Sequence, residues 1–166
     1  MNSDIRNLLV VTILAGLVLL SGCRTFRGED FPSHVARFYV ETSEAYPERF
    51  RVPVTLPYSE ATIQIDPNIQ IAEFDIENVE VFEAELGPAV AFRLSSDAAR
   101  DFRMLTYNNQ GRRLVLLVNE LPVGAMMIRR GIEDGVISMY LEYPDEDLDE
   151  LVEYINKTSA EARRRL

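Results

Sequence analysis

Cys23 is the residue whose sequence surroundings point most directly to a defined chemistry. It is the only cysteine of the chain, and it follows Leu20, Ser21 and Gly22 at the end of the only long apolar run. A lipoprotein signal peptidase cuts before a cysteine whose sulfur carries diacylglycerol, and small preceding residues let the backbone enter its active site. The arrangement is typical of a bacterial lipobox and predicts lipidation of Cys23.

Residues 1–22 have the layout of an export signal, here a lipoprotein signal peptide. A short polar start with Arg6 is followed by a mainly apolar stretch over residues 8–20. That stretch of about 13 residues is shorter than the roughly 20 that a membrane-spanning helix needs. Two alternatives are an uncleaved signal anchor and a buried, chemically idle cysteine.

A processed Cys23 would carry three acyl chains, and stable anchoring takes more than one. The sequence therefore predicts a membrane-anchored lipoprotein of the bacterial cell envelope, facing the periplasm or the exterior. Arg24 follows the cysteine, which favours the outer membrane under the enterobacterial sorting rule. That rule does not transfer to all phyla, so the leaflet stays open.

No other set of residues has the spacing of a catalytic, metal or cofactor site. His34 is the only histidine, so two-histidine metal sites are excluded, and a position so near the tether favours a surface or capping role. There is no Gly-x-Ser-x-Gly elbow and no glycine-rich phosphate loop. We therefore expect a protein that is not an enzyme, although the many acidic residues leave a carboxylate pair open.

Three further clusters favour structural roles. The acidic residues between Asp145 and Glu150 lie at a predicted helix start, where negative charge is favourable, and lack calcium-loop spacing. The arginines at 163–165 suit a helix C-terminus. Met126 and Met127 could line a hydrophobic groove, but a strand there would place one in the core and leave the other partly exposed.

The net charge of −10 excludes nucleic acid as an expected partner, because phosphate contacts need clustered lysine and arginine. Residues 23–33 form a predicted tether and residues 34–166 a single domain.

Apolar periodicity predicts strands separated by turns, with two main helices after the first strands. Ser95 is the predicted cap of the first helix and Gly111 its left-handed stop. Five consecutive apolar residues, Leu114 to Val118, indicate a central strand covered on both faces. The pattern predicts an α+β fold in which the helices pack on one face of a mainly antiparallel sheet. The predicted segments are strands at residues 35–41, 50–56, 61–65, 79–84, 89–94, 114–118, 123–128 and 136–143, and helices from residue 95 and from residues 144–145, the second with a break near residues 158–159.

Residues 89–156 resemble the head subdomain of the first periplasmic domain of SecD, a protein-export subunit. The resemblance runs through Phe92, Leu94 and Ser95 at the first helix start, and through Asn109, Gly111 and the Arg113-Leu114 pair after it. The departures are Asn119-Glu120 in place of the family's Asp-Gly turn, and Met126 where the family has proline.

The resemblance implies a shared fold and a contact with a peptide or protein. It does not imply a proton-driven motor, because the acidic membrane spans on which the family's motor depends have no counterpart in the predicted mature segment. The sequence thus predicts a lipid-anchored, non-catalytic module that binds an extended peptide, an envelope protein or a second copy of itself. The alternatives are a small envelope hydrolase with a carboxylate pair and a purely structural spacer.

Overall fold

The fold comes from a computed structural model that describes residues 33–43 and 45–166. The predicted lipidation site Cys23, the signal peptide at 1–22 and the tether up to residue 32 lie outside the described residues. The strands and helices are, in chain order, β1 (Ala36–Val40), β2 (Val52–Thr55), β3 (Thr62–Ile65), β4 (Ile76–Ala84), β5 (Gly87–Leu94), α1 (Ser96–Asn108), β6 (Arg113–Val118), β7 (Leu121–Met127), β8 (Val136–Met139) and α2 (Leu148–Arg164).

The strands form two three-stranded sheets and one hairpin, and every pairing is antiparallel. Sheet I has the order β1-β6-β7, sheet II has the order β4-β5-β8, and β2 pairs with β3 alone. The predicted α+β class with mainly antiparallel pairing is therefore confirmed.

The two helices share one core with the inner faces of both sheets. Phe102 of α1 and Leu151 and Ile155 of α2 lie in the same buried cluster as Phe38 and Phe92, whose rings meet edge to face with centroids 5.1 Å apart. Such buried apolar side chains each contribute roughly 1.5–3 kcal/mol to the free energy of unfolding. Both helices thus pack on the side that the sequence predicted.

Strand β6 is buried on both faces, as its unbroken apolar run predicts. Leu114 and Leu116 belong to the main core, whereas Val115 and Leu117 pack against Ile63 and Ile65 in a second, smaller core. The β2–β3 hairpin therefore covers the outer face of sheet I.

Helix boundaries follow local chemistry with one exception. The Ser95 hydroxyl accepts a hydrogen bond from the Ala98 amide at 3.4 Å, and Gly111 has a positive φ of 83°, as predicted. The predicted break near residues 158–159 is wrong, because Thr158 and Ser159 are buried within a continuous α2.

Among the described residues, no helix has the length and apolar character needed to cross a membrane.

Candidate functional site

The edges of the sheets differ in how well their backbone groups are covered. On β4, the Asn156 side chain from α2 accepts from the Val79 amide and donates to the Val79 carbonyl, both at 2.8 Å. Arg163 also donates to the Ile76 carbonyl. These side chains occupy the place of a neighbouring strand, so this half of the β4 edge is closed to another chain.

Two other edges are closed by different means. The Phe38 amide of β1 donates to the Ile71 carbonyl at 2.9 Å, and the Thr42 amide donates to Gln64 at 2.8 Å. On β2, Pro53 has no amide hydrogen to offer a partner.

The facing edges of β7 and β8 are open over most of their length. One backbone hydrogen bond, from the Glu142 amide to the Val123 carbonyl at 2.7 Å, joins the β7 region to the chain that follows β8. Apart from this hydrogen bond, over the described residues, β7 pairs only with β6 and β8 pairs only with β5, each along its opposite edge. Part of their backbone N–H and C=O groups is therefore free to pair with an added strand.

A groove runs between these two edges. It consists of two adjoining cavities, of about 380 Å³ and about 760 Å³, both of which are lined by Met126 of β7 and Ser138 of β8. We refer to this feature as the β7–β8 groove. Its two ends have different chemistry.

The first end is apolar and lies on the outer face of sheet II. Phe82 pairs with Ala89 across β4 and β5, and Ala91 pairs with Ser138 across β5 and β8. Because paired residues share a face, small side chains form the floor, while Phe82 and Tyr140 are partly exposed beside it. Unlike sheet I, this face has no hairpin packed on it among the described elements.

The second end is polar and is formed by residues 129–134, which follow β7. Arg129, Arg130 and Glu133 line the larger cavity together with Tyr107 of α1. The Tyr107 hydroxyl donates to Glu133 at 2.8 Å, and this hydrogen bond raises the pKa of Tyr107. Sequence analysis did not single out these arginines, and their adjacency just before Gly131 was the available signal.

Met126 and Met127 have the positions that the strand pattern predicts. Met126 packs against the main core, while Met127 is 45% exposed. Both side chains nevertheless line the larger cavity, so the groove that the pair suggested is also present.

His34 lies away from the β7–β8 groove, beside α2. Its ring stacks on Tyr154 with centroids 4.9 Å apart, and its amide donates to the Thr158 hydroxyl at 3.0 Å. Asp147 and Glu150 line the same cavity of about 300 Å³, and Glu150 raises the pKa of Tyr154 by accepting its hydrogen bond. Over residues 33–43 and 45–166, no three His, Cys, Asp or Glu side chains are grouped as metal ligands.

The other shifted carboxylates are structural. Hydrogen bonds from Arg113 and Arg37 lower the pKa of Glu41 and Glu73 respectively. The closest atoms of these ion pairs are 2.6 Å and 3.0 Å apart. The Glu41–Arg113 pair joins the end of β1 to β6, and the Arg37–Glu73 pair joins β1 to the turn at residues 73–75. Neither pair contributes to the groove lining.

The solved structures that are similar to this chain include two of SecDF. One, described as a membrane component that enhances protein export, matches with a TM-score of 0.58 and 16% identity over 75% of this chain. The other, a super-membrane-facing form, matches with a TM-score of 0.58 and 15% identity over 74% of this chain. This chain spans 62% of the first and 18% of the second.

No protein-family model and no curated protein sequence matches this chain. At this level of identity the structural likeness establishes the fold alone, and the chain has a SecD-like fold. The likeness extends well beyond residues 89–156, where the sequence resemblance lies, because it includes most of the described residues.

Proposed function

We propose that this chain is a lipid-anchored bacterial envelope protein whose SecD-head-like domain binds an extended segment of a peptide or protein in the β7–β8 groove. The observation that carries the proposal is the contrast between edges. The β1 edge and half of the β4 edge are covered and β2 lacks a donor at Pro53, whereas β7 and β8 present free backbone groups to an apolar cavity. Strand addition at such an edge is a common mode of peptide recognition.

The comparisons support this proposal through fold and context. The similar structures are of SecDF, a membrane component that enhances protein export, so an envelope protein that contacts other proteins fits the shared fold. The occupant is an extended peptide, another envelope protein or a second copy of this chain.

The anchor places the domain near a bilayer. From Cys23 to residue 33 the chain has roughly ten residues, which span at most about 35 Å when fully extended. A domain held by lipid on Cys23 would therefore work within that distance of the membrane, on its periplasmic or outer side. Which leaflet holds the lipid is left open by this argument.

The proposed role needs no catalytic residue. The alternative is a small hydrolase with a carboxylate pair. Its active site would be the cavity that Asp147 and Glu150 line beside His34. In a third alternative, the domain is a structural spacer and neither cavity has an occupant.

Photo-crosslinking in living cells tests the groove. We would place a benzoylphenylalanine at Met127, which lines the groove, and in a second variant at Leu121, which is on the same strand and 68% exposed but lines no part of it. We expect a discrete crosslinked protein from position 127 and background from position 121. Background from position 127, and from Ser138 and Tyr140 in the same assay, would contradict the proposal.

A further inference from the structure

We propose that the β7–β8 groove selects extended segments in which acidic residues adjoin apolar ones, and that Arg129 and Arg130 bind the carboxylates. This inference rests on the proposed function and adds to it the chemistry of the occupant. The apolar part would lie against Met126, Phe82 and Tyr140, at the end of the groove away from the arginines.

The two arginines are held in place by the residues on either side of them. Ile128 is fully buried, its amide donates to the Arg112 carbonyl, and its carbonyl accepts from the Gly111 amide, both at 2.9 Å. On the other side, the Ile132 amide donates to the Thr106 hydroxyl at 2.9 Å. Only Arg129, Arg130 and Gly131 lie between these fixed points.

Gly131 allows α1 to approach this segment closely. A Cβ atom at that position would lie 2.6 Å from the Tyr107 ring, which is nearer than two carbon atoms approach without repulsion. The Tyr107 ring thus packs on the backbone directly after Arg130. Through this contact, helix α1 supports the segment that carries the two arginines.

The guanidinium groups have no partner within the described part of the chain. Neither Arg129 nor Arg130 makes an ion pair or a side-chain hydrogen bond there. The two acids on the same rim are engaged, because Glu133 accepts from Tyr107 and Asp134 accepts from the Val136 amide at 3.1 Å. Both guanidinium groups on this rim therefore lack an acceptor among the described residues, beside two acids whose hydrogen bonds are made inside the domain.

Carboxylates are the groups that best complement these cations in a strand-binding groove. A guanidinium forms paired, charge-assisted hydrogen bonds to a carboxylate or a phosphate. An added strand beside β7 would pass Arg129 whichever way it runs, since the chain passes from β7 through Ile128 to the arginines. With about 3.3 Å per residue, a segment of four or five residues passes from the apolar end to the arginines.

An anionic lipid surface is the less favoured occupant. The net charge of −10 disfavours a membrane surface with many negative charges more than it disfavours a peptide with one or two. The apolar end of the groove is also lined by strand edges, which offer hydrogen bonds to a peptide backbone and none to an acyl chain.

Selection from a random heptapeptide library tests the inference on the full chain, purified in mild detergent. The test variant is Arg129→Gln/Arg130→Gln. The matched control is Arg164→Gln/Arg165→Gln, an adjacent arginine pair outside the groove with the same change in charge. We expect the wild type and the control to enrich peptides in which apolar residues adjoin aspartate or glutamate.

The test variant should still enrich apolar peptides but lose the acidic preference. Its Kd for the acidic peptides should rise about tenfold, as for the loss of a charge-assisted hydrogen bond. Enriched peptides without acidic residues, or acidic enrichment that the test variant retains, would overturn the inference and leave peptide binding in place. No enrichment with any protein would overturn the proposed function as well.

A soluble short-chain phosphatidylglycerol, added as a competitor, separates the two sources of anion. If it displaces the selected peptides and binds the wild type at least tenfold more tightly than the test variant, the arginines serve a lipid headgroup and the inference fails. Weak binding that is equal for both proteins supports it.

Discussion

Asn119 shows how a single residue can carry both a turn and a long-range contact. Asn119 and Glu120 form the two-residue turn between β6 and β7, with φ values of 50° and 68°. Asparagine tolerates this conformation, and glycine is the usual second residue. The Asn119 side chain accepts from the Val35 amide at 2.9 Å, and its own amide donates to the Val35 carbonyl at 3.0 Å. The turn therefore secures the chain as it enters β1.

Gly135 is constrained both by its backbone and by its neighbour. Its φ is 66°, and a Cβ there would lie 2.5 Å from the Cβ of Ala99 in α1. Gly111 has a similar conformation, with φ of 83°, but open space around it, so it is the matched control. We expect Gly111→Ala to lower the free energy of unfolding by about 1–2 kcal/mol through backbone strain.

Gly135→Ala should lower the free energy of unfolding by roughly 1–3 kcal/mol more than that, because the added methyl overpacks the contact with α1. Urea denaturation of both variants measures the difference. Equal losses would show that α1 moves away from residue 135 without cost.

The β2–β3 hairpin depends on one carboxylate of another element. Glu142 accepts hydrogen bonds from the Tyr58 amide at 2.7 Å, the Ser59 amide at 2.9 Å and the Ser59 hydroxyl at 2.6 Å. Partial burial raises the pKa of Glu142, but these hydrogen bonds lower it by more, so the net shift is downward. The contact ties the hairpin to the segment after β8.

Glu142→Gln should therefore destabilise the domain in a pH-dependent manner. A carboxylate whose pKa is lower when folded stabilises the fold above its unfolded pKa of about 4.3, and this contribution is lost as the pH falls through the folded value. At pH 7 we expect a loss of about 1 kcal/mol, because the contact is near the surface.

Urea denaturation of the wild type and Glu142→Gln at neutral pH and below pH 4 measures the effect. The difference between the two proteins should shrink in acid. Glu83→Gln, at an exposed acid of β4, is the control and should match the wild type at both pH values. A Glu142→Gln difference that persists unchanged in acid would assign the effect to shape rather than to charge.

At the scale of the whole molecule, the proposed binding groove and the proposed anchor lie in different parts of the sequence. The groove is lined by β7, β8 and the residues that follow them, with contributions from β4, β5 and α1, and its lining includes no residue before Phe82. The proposed anchor is at Cys23. Loss of the lipid should therefore change where the protein is found while leaving the groove able to bind.

Cys23→Ala should abolish lipidation and membrane retention. We expect a palmitate analogue to label the wild type in cells but not the variant. The first proposed acyl chains are attached to the Cys23 sulfur, and the later chain is added only after that step. Cell fractionation should move the variant out of the membrane fraction or leave it as an uncleaved precursor.

Mass spectrometry of the native protein gives the independent check. We expect a chain that begins at an acylated Cys23. An intact leader with an unmodified thiol, or equal labelling of wild type and Cys23→Ala, would contradict the lipoprotein hypothesis.

Local chemistry was sufficient to predict most of the elements. Ser95 precedes the first residue of α1 and Gly111 follows its end, as predicted, because a cap and a left-handed stop act within a few residues. Leu114 to Val118 form a strand that is buried on both faces, because an unbroken apolar run has no polar face for contact with water. The hairpin of β4 and β5 was predicted less well, because its strands were expected only at residues 79–84 and 89–94. Its turn is Glu85-Leu86, with Gly87 and Pro88 already paired in β5, because register depends on contacts along both strands.

Met126 and Met127 raised the possibility of a groove, but its position and extent could not be predicted, because they depend on which strand edges remain unpaired. Asn156 closes the β4 edge across 77 residues of sequence, and β7 and β8 separate after a single hydrogen bond. Arg129 and Arg130 gain their importance only from the cavity beside them. The sequence alone determined the anchor hypothesis and the fold class, since both follow from local composition and periodicity. The tertiary structure alone decided the binding surface, because edge pairing is a long-range property of the folded chain.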